Sequence, residues 1–123
     1  MRWTTAALIF LLAGCAATAP PHVWLPHDGT FREVPDVPAL PVGVHVVGDR
    51  LVVAVSPGAW LYNSRCGRNF QGCYARGAGS ETSTIEVAAG APGMLGHEMG
   101  HYCQDRGPEA CARTVEAVRA FRP

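Results

Sequence analysis

Four of the five cysteines lie in the second half of this 123-residue chain, and in so small a protein their pairing constrains the fold most. They are Cys66, Cys73, Cys103 and Cys111. An even number of cysteines in an oxidising compartment is typical of disulfides, and four cysteines allow three pairings. We favour Cys66 with Cys73 and Cys103 with Cys111, because both bridges close short loops. A zinc site built from these cysteines is the alternative, although the C-x2-C spacing common in such sites does not occur.

The N-terminal segment predicts export, which provides the oxidising compartment that disulfides need. Arg2 makes the start of the chain positive, and Ala6 to Ala13 form an apolar stretch too short to span a bilayer. At its end, Leu12-Ala13-Gly14-Cys15 resembles the lipobox of bacterial lipoproteins, whose cysteine is diacylated and becomes the mature N-terminus. The resemblance implies that residues 1–14 are a signal peptide and that Cys15 anchors the protein in a membrane.

The residue after the lipobox cysteine points to one membrane of the envelope. Ala16 stands there rather than aspartate, and the resemblance therefore implies an anchor in the Gram-negative outer membrane, with the protein on its periplasmic side. The alternative is an ordinary signal peptide cleaved after Ala17-Thr18-Ala19, an A-x-A site. Both interpretations place the mature protein outside the cytoplasm.

Proline content separates the remaining chain into two parts. Residues 15–41 contain six of the ten prolines, and this composition favours an extended tether. Alternatively, Trp24, Leu25 and Phe31 pack onto the rest of the protein and make this segment an arm. The patterned sequence that follows, residues 42–123, predicts one small domain.

Charge argues against one class of partner. The ten Lys and Arg side chains balance ten Asp and Glu side chains, so the formal net charge is zero. A protein that binds nucleic acid through a basic face carries an excess of positive charge. We therefore expect no nucleic-acid partner.

The order of apolar patterns in the domain predicts strands first and helices afterwards. Strands are predicted at residues 44–47, 51–55 and 83–88. Helices are predicted from Pro92 to about Gln104 and from Pro108 to near Ala120, since proline suits the first turn of a helix. The sequence thus predicts an α+β fold, with a small antiparallel sheet followed by a helix and a second, C-terminal helix.

The chemistry-bearing pattern lies in the first predicted helix, at His97-Glu98-Met99-Gly100-His101. Histidines four residues apart share one helical face, so their imidazoles can hold a single Zn²⁺, and the glutamate beside the first can reach a water on that ion. The alternative is a surface helix with two solvated histidines. We expect the zinc site because the motif falls on a predicted helix directly after a predicted strand in an exported chain.

From Ser83 to Phe121 the sequence resembles the zincin metallopeptidases, which carry this H-E-x-x-H motif. The resemblance implies that His97 and His101 ligate zinc and that Glu98 is the general base that activates a zinc-bound water. It also implies that the strand Ser83 to Ala88 binds a peptide or protein substrate in extended form.

A third zinc ligand is expected after the motif. Metzincins place a histidine where this chain has Gly107, so the resemblance is to gluzincins, which take a glutamate from a later helix. In an antiparallel helical hairpin Glu116 is level with His97, and we favour it as the ligand. Glu109 is the alternative, because Glu109-Ala110-Cys111-Ala112 resembles the E-x-x-A of some gluzincin ligand helices. Asp105 is a further candidate.

Together these patterns predict a lipid-anchored zinc metallopeptidase that hydrolyses peptide bonds in the cell envelope. The oxyanion of such a reaction needs a stabilising group, and Tyr62, Tyr74 and Tyr102 are the candidates. The alternative function is a non-catalytic envelope lipoprotein with a structural metal site and a partner-binding surface.

Overall fold

A computed structural model of the chain describes residues 30–76 and 81–122. Within them the chain forms a four-stranded sheet and two helices, and the α+β class is confirmed. In chain order the elements are β1 (Gly43–Val47), β2 (Leu51–Ser56), β3 (Gly72–Arg76), β4 (Ser83–Ala88), α1 (Met94–Arg106) and α2 (Pro108–Arg119). The predicted signal peptide, Cys15 and most of the proline-rich segment lie outside the described residues.

The sheet is mixed, with the strand order β1-β2-β4-β3, whereas we expected an antiparallel sheet. The pairs β1–β2 and β3–β4 are antiparallel, but β2 and β4 run parallel, with Leu51 opposite Ser83 and Val55 opposite Val87. The unpredicted strand β3 explains the difference. Because the chain turns back through β3 before entering β4, β4 has the direction of β2.

Both helices pack on one face of this sheet, where alternate strand residues are buried. Leu51 and Val53 of β2 and Ile85 of β4 have no exposed surface. From the helices they meet Met99 and Val118, which are also fully buried. The core is therefore a two-layer sandwich of one sheet face against a helical hairpin.

The opposite face of the sheet is only partly covered. Val44 and Val46 of the edge strand β1 keep 72% and 74% of their surfaces exposed. Nearer β3, Arg65 reaches over this face, and its guanidinium donates a hydrogen bond to Thr84 of β4. The apolar exposure is thus concentrated at the β1 edge.

Two disulfides join the pairs of cysteines that we favoured. Cys66 and Cys73 have their Cα atoms 5.8 Å apart, and the bridge ties β3 to the preceding segment, residues 57–71, which we call the cleft loop. Cys103 and Cys111, with Cα atoms 4.6 Å apart, join α1 to α2 beside the turn at Gly107. Both bridges indicate an oxidising environment. Neither helix in the described part of the chain is long and apolar enough to cross a membrane.

Residues 30–41 lie against the domain, so this part of the proline-rich segment is an arm. Val34 and Leu40 belong to the core, at 3% and 6% exposure. The backbone N–H of Val34 donates to the carbonyl of Gly96 in α1, at 3.0 Å. The arm comes this close because Gly96 has no side chain, and a Cβ there would lie 2.5 Å from the Val34 carbonyl oxygen. The described arm thus runs along α1.

Candidate active site

The two motif histidines lie one turn apart on α1, as the sequence predicts, and both are half-buried. The centres of the His97 and His101 rings are 5.1 Å apart. Two imidazoles that bind one zinc ion tetrahedrally, with Zn–N distances of ~2.0–2.1 Å, have ring centres about 5 Å apart. Burial lowers the pKa of His101, and the nearby charge of His97 lowers it further. His101 is therefore held in the neutral form, which has a lone pair for a metal ion.

Glu98 is buried at 5% exposure between α1 and strand β3. It fits there because β3 has a glycine opposite: a Cβ at Gly72 would lie 2.7 Å from Oε2 of Glu98 and 2.8 Å from Cε of Met94. Burial raises the pKa of Glu98, and the charge of His97 acts in the opposite direction. A carboxylate with a raised pKa in a cleft is suited to accept a proton.

These residues line an open cleft of about 750 Å³ between α1, β3 and the cleft loop. Two half-exposed aromatic side chains of that loop, Trp60 and Phe70, line it as well. The loop is held by the Cys66–Cys73 bridge and by two backbone hydrogen bonds between Leu61 and residues 69 and 70, of 2.9 and 2.7 Å. No arginine is among the described residues that line the cleft. Trp60 and Phe70 make one side of it apolar, and we call this side the aromatic wall.

The edge strand beside the cleft is β3, not the strand we expected to bind substrate. Ser83–Ala88 forms β4, which is paired with β2 on one side and with β3 on the other. A peptide can add to a sheet only at an edge with unpaired N–H and C=O groups. Ser83–Ala88 is therefore enclosed within the sheet, and among the described strands β3 is the edge strand next to α1.

The structure does not bring the predicted third ligands to the histidines. Glu109 and Glu116 are exposed on α2 and do not line the cleft. The disulfide between Cys103 and Cys111 explains this, because it holds α2 against the buried side of α1, away from the histidine face. Among the described residues, no group of three or more His, Cys, Asp and Glu side chains is close enough to hold one metal ion.

Asp105, the further candidate, lines the cleft but already has two partners. Its carboxylate accepts hydrogen bonds from the Tyr74 hydroxyl, at 2.6 Å, and from the Arg76 guanidinium, at 3.1 Å. Burial and the hydrogen bond to Asp105 raise the pKa of Tyr74 to about 12. The phenol is therefore protonated at neutral pH, and it is the one described tyrosine that lines the cleft.

The other two tyrosines are placed differently. The Tyr102 hydroxyl is buried, where it donates to the Asp49 carbonyl at 2.9 Å and lies 3.0 Å from Oγ1 of Thr114. Tyr62 is 83% exposed on the cleft loop and does not line the cleft. Of the three oxyanion candidates, Tyr74 alone lines the cleft, and its hydroxyl already donates to Asp105.

Sequence reasoning missed the contacts that the arm makes with the histidines. The Phe31 ring lies 4.9 Å from the His97 ring and 4.5 Å from the His101 ring, between ring centres. Oε2 of Glu33 is 2.8 Å from Nδ1 of His97. One signal was present: Gly96 and Gly100 are poor helix formers one turn apart, and glycines at such a spacing permit close approach of another backbone.

Comparisons of this chain with protein-family models, with curated proteins and with solved structures found no match. The assignment of a function therefore depends on the geometry of the cleft and on the resemblance of the motif.

Proposed function

We propose that this protein is a zinc-dependent metallopeptidase of the bacterial cell envelope. The observation that carries the proposal is the arrangement of His97, Glu98 and His101 in one open cleft: two imidazoles at the spacing of a shared metal ion, and a buried carboxylate beside them. Imidazole nitrogens suit zinc and similar divalent ions. Among the described residues, His97 and His101 can therefore supply two of the ligands of such an ion.

His97 and His101 would hold the ion as two of its ligands. When bound, zinc supplies Lewis acidity for water and for the scissile carbonyl. Glu98 accepts a proton from the attacking water at its carboxylate and then returns it to the leaving amine. Its raised pKa improves both steps, because the carboxylate is a stronger base and its protonated form persists to a higher pH.

An extended peptide would bind beside α1, along β3, which is the edge strand among the described strands. Near Gly72 the strand presents backbone groups without a side chain, at the same point where Glu98 approaches it. A scissile bond placed there would lie within reach of the base. The aromatic wall of Trp60 and Phe70 favours substrates with an apolar side chain next to the cleaved bond.

Location completes the proposal. The two disulfides are in keeping with an exported protein, and the lipobox-like sequence ending at Cys15 supports a lipid anchor in the outer membrane. A lipid-anchored peptidase would act on peptide or protein bonds near the membrane surface. Labelling with a radioactive fatty acid, with Cys15→Ala as the control, tests the anchor separately from the activity.

The Glu98→Gln variant tests the reaction. Glutamine has nearly the same shape but cannot accept the proton, so we expect the variant to bind zinc like the wild type and to lose about 10²–10⁴-fold in peptide hydrolysis. Zinc content is measured after dialysis, and hydrolysis with a peptide library containing aromatic residues. Wild-type protein that takes up no zinc, or a variant as active as the wild type, would overturn the proposal.

The second candidate function is a non-catalytic lipoprotein that binds a partner. The exposed apolar surface of Val42, Val44 and Val46 at the β1 edge favours it, since scattered single residues are ordinary but a contiguous strip is typical of an interface. Zinc uptake without hydrolysis of any library peptide would support this second candidate over the peptidase.

A further inference from the structure

We infer that Glu33 in the N-terminal arm is a positioning residue for His97. The arm orients this proposed zinc ligand from the side of the ring opposite the cleft. The inference rests on the proposed function, because it concerns how the same histidine presents itself to a metal ion. Glu33 lies 64 residues before His97 in the chain, yet its Oε2 is 2.8 Å from Nδ1 of the imidazole.

The chemistry of this contact selects one form of the histidine. An ionised carboxylate only accepts hydrogen bonds, so Nδ1 of His97 carries a proton and donates it to Glu33. In the neutral imidazole the other nitrogen, Nε2, then has the free lone pair. Histidines that bind metals commonly have such a carboxylate partner on the second nitrogen, which determines both the tautomer and the ring orientation.

Packing restricts the same ring. The Phe31 ring contacts both imidazoles, and neither Phe31 nor Glu33 is among the residues that line the cleft. The arm therefore lies behind the histidines and leaves their cleft side open. Phe31 limits rotation of the two rings by contact, while Glu33 selects the nitrogen of His97 that stays free.

The arm is held firmly enough to act in this way. Val34, next to Glu33, is 3% exposed and its backbone N–H donates to the Gly96 carbonyl in α1. One turn later in α1, a Cβ at Gly100 would collide with the Arg32 carbonyl oxygen and would lie 2.7 Å from the Phe31 ring. The two glycines thus form a shallow groove in which the backbone on both sides of Glu33 is seated.

Stability does not account for the Glu33–His97 contact. The side chains are 64% and 34% exposed, and ion pairs at such exposure contribute little to the free energy of unfolding. A positioning role instead predicts an effect on metal affinity. Loss of the carboxylate partner of a ligating histidine typically lowers metal affinity by about 10–100-fold.

The experiment uses the oxidised, processed full chain and three variants: Glu33→Ala, Glu33→Gln and, as the matched control, Glu81→Ala. Glu81 is another exposed glutamate; it pairs with Arg50, and neither residue lines the cleft. The first measurement is the tautomer of His97 in the metal-free protein, from the ¹⁵N chemical shifts of its imidazole. The second is the zinc dissociation constant from competition with a chelator.

In the wild type we expect His97 to be protonated on Nδ1. In the Glu33→Ala variant, we expect His97 to lose this preference and the protein to bind zinc about 10–100-fold more weakly. Glu33→Gln should fall between them, because its amide oxygen still accepts the hydrogen bond but carries no charge. Glu81→Ala should match the wild type. Equal thermal unfolding midpoints show that the variants are folded.

The possible failures are distinguishable. Glu33→Ala with the wild-type tautomer and wild-type zinc affinity overturns the role of Glu33 while leaving the peptidase proposal intact. Wild-type protein that binds zinc but hydrolyses no peptide overturns the peptidase and leaves the role of Glu33 supported by the tautomer and the affinity. If the wild type binds no zinc, both are overturned.

Discussion

The two sides of helix α1 around the histidines differ in what approaches them. On the cleft side Glu98 faces Gly72 of β3, and the space beyond is open. On the arm side Gly96 and Gly100 are covered by the backbone of residues 32 and 34. Both sides depend on glycines, but the cleft glycine makes room for Glu98, the proposed base, and the arm glycines make room for the backbone of the arm. Changes to the two kinds of glycine should therefore have different consequences.

The largest effect is expected from Gly72→Ala on the cleft side. The new methyl group would meet Oε2 of Glu98 and Cε of Met94, the movable ends of two flexible side chains, so the fold should tolerate it. Glu98 must move, and a displacement of about 1 Å at a catalytic group can cost about 100-fold in rate. We expect kcat/KM for peptide hydrolysis to fall by that order, with the zinc affinity unchanged.

For Gly72→Ala the control is Gly93→Ala, at a glycine of α-helical backbone conformation with nothing within 4 Å of an added Cβ. It should retain wild-type activity. If Gly72→Ala is as active as the wild type, the space opposite Glu98 has no role in the reaction.

On the arm side, Gly100→Ala should affect stability first. Its Cβ would collide with a backbone carbonyl, that of Arg32, which cannot rotate away as a side chain can. We expect the free energy of unfolding to fall by ~1–3 kcal/mol, the usual cost of overpacking. Zinc affinity should also fall, because the arm that carries Glu33 is displaced. Denaturant unfolding of the oxidised protein and chelator competition measure the two effects.

An unchanged zinc affinity in a destabilised Gly100→Ala protein would show that the arm supports the fold and not the metal site. That result would weaken the contrast between the two sides of α1 and would agree with a purely structural arm.

A smaller effect is expected at the aromatic wall of the cleft. Trp60→Ala removes one face of the proposed pocket for an apolar substrate side chain, and the KM for a phenylalanine-containing peptide should rise about 2- to 10-fold, equivalent to ~0.5–1.5 kcal/mol. The matched control is Tyr62→Ala, on the same loop but 83% exposed and outside the cleft. An equal rise in KM for both variants would contradict the proposed role of Trp60 in the substrate pocket.

The smallest effect is a pH dependence of stability in the metal-free protein. Burial raises the pKa of Glu98 above its ordinary value of 4.5, so the folded state holds this proton more tightly than the unfolded state. Ionisation of Glu98 therefore lowers stability as the pH rises through 4.5 toward the higher folded-state pKa. Glu98→Gln lacks this loss, and its thermal midpoint should exceed that of the wild type at neutral pH.

Acidification should make the two midpoints converge, because both side chains are then uncharged. A constant difference between pH 4 and 7 would show that folding does not raise the pKa of Glu98.

Local patterns predicted the parts of the fold that depend on neighbouring residues. The helical hairpin was predicted within two residues at each end, because Pro92, Pro108 and Gly107 mark its boundaries. The strands β1, β2 and β4 have alternating or β-branched sequences and were predicted as well. Strand β3, Gly72–Arg76, has neither property and becomes a strand by pairing with β4. Propensity alone therefore could not reveal it.

The motif placed three site residues on one helix by itself, since the geometry of a helix relates positions 97, 98 and 101 without any other information. The favoured disulfides depended only on short separations along the chain, of 7 and 8 residues. These are properties of local chain geometry. The sequence determined them because nothing distant is needed to form them.

Tertiary structure decided everything that joins distant segments. It made β3 the edge beside the cleft, held α2 and its glutamates away from the histidines, and brought Glu33 to His97. Each of these depends on how the sheet, the hairpin and the arm pack together. A contact between segments far apart in the chain can be made by a single glycine or a single carboxylate. Such a contact produces no periodic pattern in the sequence from which it could be predicted.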